Sequence, residues 1–191
     1  MSEEAVILHG SPTLAGIKTG SLFRYPYETA EQMCTALRFW NRTLAKKGLR
    51  VIPLSYRNRN ALLYLYRPAM LSRDLKDDTA KRILSERGYC TDSPERCICC
   101  LMCRLRDSRE FPHEIGLFLG YPAEDVCGFL EHRECDLKCV GCWKVYGDEV
   151  SARKTFERYR KCSRIYRRRW GQGIPIERLT VAQSTRKGKK I

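Results

Sequence analysis

LRVIPLSYRNRNALLYLYRP, residues 49–68, holds two apolar runs on either side of a polar break at residues 57–60. Both runs are rich in β-branched and aromatic side chains, and Asn58 and Asn60 tolerate turn geometry, so the segment predicts a β-hairpin. Upstream, residues 28–47 place Met33, Ala36, Leu37, Phe39, Trp40 and Leu44 at helical spacing, with Gly48 to stop the helix in a left-handed conformation. Downstream, residues 68–75 and 77–87 read as two helices, and Ser93, Pro94 and Glu95 open a third that runs to about Asp107. Residues 5–9 (AVILH) read as a short buried strand, followed by a helix with Ser11 as N-cap and Pro12 as its first residue. EIGLFLG (residues 114–120) and residues 139–145 read as two further strands, with a helix over residues 122–132 between them. Asp148 reads as the N-cap of a long helix over residues 149–170. The expectation is an α/β fold, with α+β as the alternative: one mixed sheet of about five strands, helices packed on it, and a long amphipathic C-terminal helix. A single domain is expected over residues 1–182, with QSTRKGKKI, residues 183–191, as a basic disordered tail.

The chain has 191 residues, a length that suits one domain with a core of its own. No signal peptide is evident and nowhere do 18 apolar residues follow one another, so a cytoplasmic protein with no membrane partner is expected. In that compartment the 11 cysteines stay reduced, and their odd number excludes complete pairing within the chain. The net charge of +14 is unevenly placed, since residues 151–191 carry 14 Lys or Arg against Glu157 and Glu177 alone. Such a basic end suits RNA or another polyanion, through Arg160, Lys161, Arg164, Arg167, Arg168 and Arg169, or it is one solvated helix face.

Two groups of thiols raise metal chemistry. Cys135, Cys139 and Cys142 have the C-x3-C-x2-C spacing of a radical cluster loop, but the roughly 50 residues after them hold no barrel that could enclose a radical. A simple zinc or iron-sulfur site is easier to accommodate, with Gly141 bending the backbone. On a regular strand, however, Cys139 and Cys142 point to opposite faces and serve as small apolar residues. In ERCICCLMCRL, Cys99 and Cys103 share a helix face, yet one straight helix cannot surround a tetrahedral ion, so Cys90, His113, Cys135 or Cys139 would have to complete the site. The alternative is four thiols among Cys97, Cys99, Cys100 and Cys103 packing beside Leu101 and Leu105.

His9 and His113 stand at the ends of expected strands, where ligands gather in α/β sheets. With Glu114 and Cys139 they are the candidate acid, base and nucleophile, and Lys18, Tyr66 and Arg67 the candidate ligand-binding groups. HGSPTLAGIKT looks like a phosphate loop, but five residues separate its glycines and Ile17 precedes the lysine, so it reads as a capped turn.

Four stretches carry a resemblance to a known family: HGSPTLAGIKTGSLF (9–23), LLYLYRP (62–68), FPHEIGLFLGYPAEDVCGFLEH (111–132) and GCWKVYGDEVSARKTFERYRKC (141–162). Together they resemble the domain of unknown function 3793 family, small single-domain proteins of anaerobic bacteria. The resemblance implies a thiol near Cys139 and another near Cys162, treats Cys135 and Cys142 as additions of this chain, and implies a link to iron. The leading expectation is therefore a cysteine-rich protein that binds iron, an iron-sulfur centre or zinc in a redox or metal-handling role. The alternatives are a polyanion-binding module and a thiol-dependent enzyme using Cys139 with His9 or His113.

Overall fold

The computed structural model describes residues 2–107, 110–131 and 134–183. In chain order its elements are α1 (Glu3–Leu14), β1 (Gly20–Pro26), α2 (Ala30–Ala45), β2 (Arg50–Arg57), β3 (Asn60–Tyr66), α3 (Pro68–Asp74), α4 (Asp78–Glu86) and α5 (Pro94–Asp107). They continue with α6 (Ile115–Phe118), α7 (Ala123–Leu130), β4 (Cys139–Val140), β5 (Lys144–Val145), α8 (Glu149–Gly171) and α9 (Ile176–Leu179).

The expected hairpin organises the fold. Residues 50–57 pair antiparallel with β3, and β1 pairs antiparallel along the other edge of β3, giving the strand order β1-β3-β2. The turn places Asn58 at φ 48° and Arg59 at φ 57°, so the left-handed pair is Asn58 and Arg59 and not Asn60, which begins β3. From Ala61 onward strand β3 carries only apolar and aromatic side chains, as suits a strand covered on both faces. Ala61, Leu63 and Leu65 face a core built with α1, α2, α8 and α9, while Tyr64 and Tyr66 face a second core built with α3 to α7. Strand β1 obeys the same alternation, with Phe23 in the first core and Leu22 against the second.

The mixed α/β class and the helices packed on a sheet are as expected. The strands, however, divide into this three-stranded sheet and a separate two-stranded one, β4 with β5, and all their pairings are antiparallel. Residues 5–9 lie inside α1 rather than in a strand. Ser2 caps that helix by accepting from the Ala5 N–H, and Glu3 and Glu4 occupy its first turn. Pro12 therefore sits within the helix instead of opening one. Residues 114–120 form the single turn α6, closed by Gly120 at φ 75° with Tyr121 N–H bonded to the Gly116 carbonyl. Residues 139–145 are a tight hairpin and not one strand, because the chain reverses at Gly141 to Trp143. Strand β1 had not been expected. Of the tail, Gln183 donates its N–H to the Lys47 carbonyl, while residues 184–191, like the expected helix end at His132, lie outside the described residues.

Candidate functional site

Helix α1 ends with Gly16 at φ 72°, its N–H bonded to the Thr13 carbonyl and the Ile17 N–H to the Pro12 carbonyl. This closure turns the chain so that Lys18 and Thr19 lead into β1. Lys18 then lies half-buried between two aromatic rings from distant parts of the chain. Its Nζ is 5.5 Å from the centroid of Tyr121, just past α6, and 5.9 Å from that of Tyr159, on α8. A cleft of about 280 Å³ opens here, lined also by Thr19, Arg73 and Asp74. The carboxylate that could neutralise Lys18 is already committed: Asp74 accepts from the Thr19 hydroxyl and from Arg73 Nε and Nη2 at 2.9 and 2.8 Å. Among the described residues no carboxylate comes within ion-pair distance of Lys18. Burial consequently lowers the Lys18 pKa to about 8, opposed by the negative charge that Cys142 gains on ionisation. Burial also pushes the Tyr121 and Tyr159 hydroxyls up to about 12, which keeps both protonated near neutral pH.

Behind the Tyr121 wall stands the β4–β5 hairpin, and one buried carboxylate fixes it. Asp125 Oδ1 accepts from the N–H groups of Tyr146 and Gly147, both at 2.8 Å, while Oδ2 accepts from Trp143 Nε1 at 2.6 Å. Trp143 stacks on Tyr121 at 4.8 Å and meets Phe156 of α8 edge-on at 4.5 Å. Gly141 is required by this packing, since a Cβ there would lie 2.1 Å from the Phe156 ring.

A family model described as "Protein of unknown function (DUF3793)" matches residues 6–180. The chain belongs to the DUF3793 family. No curated protein and no solved structure gives a significant match. Three of the stretches on which the resemblance rests meet at this cleft: Lys18 and Thr19 come from the first, Tyr121 from the third and Tyr159 from the fourth, with Asp125 and Trp143 behind Tyr121. The second stretch supplies Arg67, whose N–H bonds to the Thr19 carbonyl.

Sequence reasoning had named Lys18 but not its surroundings. Tyr121, Tyr159 and Asp125 stand more than a hundred residues away, and no local spacing links them to it. Arg67 plays a different part in the DUF3793 chain. Its buried guanidinium donates to the carbonyls of Thr13 (2.7 Å), Leu14 (2.8 Å) and Val181 (2.7 Å), with a longer contact of 3.4 Å to Lys47. It thus closes the C-terminal ends of α1 and α2 and fastens the segment after α9. Tyr66 stacks on Tyr64 at 4.6 Å in the core. Glu114 is held among Tyr89, whose hydroxyl donates to it at 2.8 Å, Arg104 at 2.8 Å and Arg87 at 3.9 Å, which leaves it no free role as an acid.

The structure does not bring His9 and His113 together. His9 stacks on Phe23 at 5.3 Å and His113 lies by Phe129 at 4.8 Å, on opposite faces of the sheet. Cys139 packs with Val145, Ala152 and Phe156, and Cys142 is exposed near Lys18, so the hairpin separates the two thiols. Cys135, Cys99 and Cys103 are exposed, while Cys97 is buried with its Sγ 3.2 Å from the Cys90 carbonyl oxygen. Among the described residues no group of three or more His, Cys, Asp or Glu side chains is arranged to hold a metal ion, so those side chains do not fit a zinc or iron-sulfur centre as they stand. No helix among the described residues is long and apolar enough to cross a membrane. On α8, Phe156, Tyr159 and Tyr166 are buried, whereas Arg160, Lys161, Arg164, Arg167, Arg168 and Arg169 are all exposed.

Proposed function

We propose that the chain captures a small carbonyl-bearing molecule through the amine of Lys18. What supports this reading is one observation: a half-buried ammonium group between Tyr121 and Tyr159 with no carboxylate partner among the described residues. A lysine in such a place costs stability, and a methionine of similar length would fill the space without that cost. The cost has a chemical use. With a pKa of about 8, roughly a tenth of the amine is neutral at pH 7 and able to add to a carbonyl carbon. Addition gives a carbinolamine, and loss of its oxygen as water gives an imine. Tyr121 and Tyr159 keep their protons near neutral pH and can hydrogen-bond that oxygen, while the proton that completes the departing water comes from solvent. The test is incubation of the full chain with pyruvate or glycolaldehyde and cyanoborohydride, followed by peptide mapping. A reduced adduct concentrated at Lys18, and lost in Lys18→Arg, is expected. Adducts spread evenly over the surface lysines would sink the proposal.

A second reading rests on α8. We infer that its exposed face is a polyanion-binding surface, since Arg160, Lys161, Arg164, Arg167, Arg168 and Arg169 have no acidic partner among the described residues. RNA affinity should then fall steeply with salt and weaken in an Arg167→Gln/Arg168→Gln/Arg169→Gln variant. Unchanged binding in that variant would refute it. A metal-handling role for the thiols remains a proposal that needs ligands from a rearranged chain or from a second copy, and metal analysis after anaerobic purification tests it.

A further inference from the structure

A second concavity, of about 320 Å³, lies between α6, α7 and β5 and shares Tyr121 with the walls of the Lys18 cleft. Its body is apolar, formed by Leu22, Ile115, Leu119, Val126, Phe129 and Trp143. Its polar groups are few and unequal. Asp125 lines it, but both oxygens are taken by Trp143 Nε1 and the N–H groups of Tyr146 and Gly147, so this carboxylate has nothing left to offer a ligand. The other two lie at one end. The His113 ring lies 4.8 Å from Phe129, and Lys144 Nζ sits over the same Phe129 ring at 5.2 Å. Both side chains are exposed, and among the described residues neither has an acidic partner.

We propose that this groove binds a small apolar carboxylic acid, with its hydrocarbon body against Leu22, Ile115, Val126 and Trp143 and its carboxylate at Lys144 and His113. The occupant follows from complementarity: an apolar volume at the small end of ligand sites, one end marked by the Lys144 ammonium and a His113 ring that can donate beside it, and the single acidic group satisfied from within. A neutral apolar molecule leaves the Lys144 and His113 end unanswered. A cation is repelled there.

The test is calorimetric titration of octanoate into the full chain at neutral pH, with octanamide as the uncharged probe of the same shape. Saturable octanoate binding is expected, weaker by roughly tenfold or more for octanamide and for Lys144→Glu, an exposed substitution that leaves the apolar walls intact. Leu22→Trp fills the groove and should abolish binding, with circular dichroism confirming that the variant folds. Lys18→Met should bind octanoate as the unsubstituted chain does, which separates this site from the amine chemistry next door. No heat with octanoate at millimolar concentration overturns the proposal. Equal binding of octanoate and octanamide, or of octanoate to Lys144→Glu, does the same.

Discussion

Replacing Lys18 by methionine should make the protein more stable, and by an amount that depends on pH in one direction. In the folded chain burial lowers the Lys18 pKa from 10.5 to about 8. Below pH 8 the ammonium is present in both states, and the folded state carries the whole cost of holding it away from water. That lowering corresponds to about 3 kcal/mol as an upper bound, reduced by residual solvent at the cleft mouth, so a gain of about 1–3 kcal/mol is expected for Lys18→Met at pH 7. Between pH 8 and 10.5 the unfolded state binds more protons than the folded one at this group, so the native chain gains stability as pH rises while Lys18→Met gains nothing from this source. The gap between the two proteins should therefore shrink steadily from pH 8 upward. Comparing the two cancels the thiols and phenols that do not interact with Lys18, and making both measurements in a Cys142→Ser background removes the one thiol that does. Urea unfolding at intervals from pH 6.5 to 10 provides the assay, with midpoint and slope fitted at each pH. A gap that is absent at pH 7, or constant across the range, would refute the claim that Lys18 is half-buried without a partner. Loss of imine trapping alongside gained stability would mark a residue kept for chemistry at the expense of the fold.

Arg67→Met should destabilise by about 3–5 kcal/mol, because it leaves the Thr13, Leu14 and Val181 carbonyls without the guanidinium that serves them; a loss under about 1 kcal/mol in chemical denaturation would return Arg67 to the list of ligand-binding groups. Gly141→Ala should cost about 1–3 kcal/mol and weaken the near-ultraviolet signal of Trp143, since the added methyl meets the Phe156 ring; an unchanged spectrum and melting point would contradict the hairpin packing. Arg59→Gly should stabilise by about 1 kcal/mol, because Arg59 occupies the second left-handed position of a two-residue hairpin turn where glycine bears no Cβ penalty; a lower melting point would show that Arg59 makes a contact worth more than the relieved strain.

Much of the fold was legible from local chemistry. Ser93 and Asp148, read from the sequence as helix openers, each accept the N–H three residues on; Thr29 and Asp77 do the same, one residue inside the first expected helix and at the first residue of the second. The central hairpin was legible because β3 is buried on both faces, and an uninterrupted apolar run is the mark of that position. Residues 5–9 misled for the same reason. A helix wedged beside a sheet is apolar over one turn too, and the deciding signal, Ser2 with Glu3 and Glu4, lies before the run rather than in it. The single turn α6 misled because it is buried on all sides, although Gly120 followed by Pro122 carried the sign of a helix end. Strand β1 escaped because GSLFRYP lacks a clean alternation and ends at proline, as edge strands can. The site was legible only in its lysine. Its remaining walls are brought in by long-range packing, and the buried Asp125 that fixes the hairpin behind one of them sits in a helix where a carboxylate usually means a solvated first turn.

The position of Arg67 also bears on the order of events during synthesis. Its side chain joins carbonyls at residues 13, 14 and 181, and the Val181 N–H returns a bond to the Leu14 carbonyl. Tyr166, Ile176 and Leu179 belong to the core on the same face of the sheet. While the chain is still being made, β1 to β3 can pair, α3 to α7 can cover one side and α1 with α2 part of the other, but that other side is completed only once α8 and the segment through residue 181 are added. A chain that stops before α9 keeps α1 and α2 on that face but lacks Ile176 and Leu179, and Arg67 lacks its Val181 acceptor, so part of this core stays open as the kind of surface that chaperones hold.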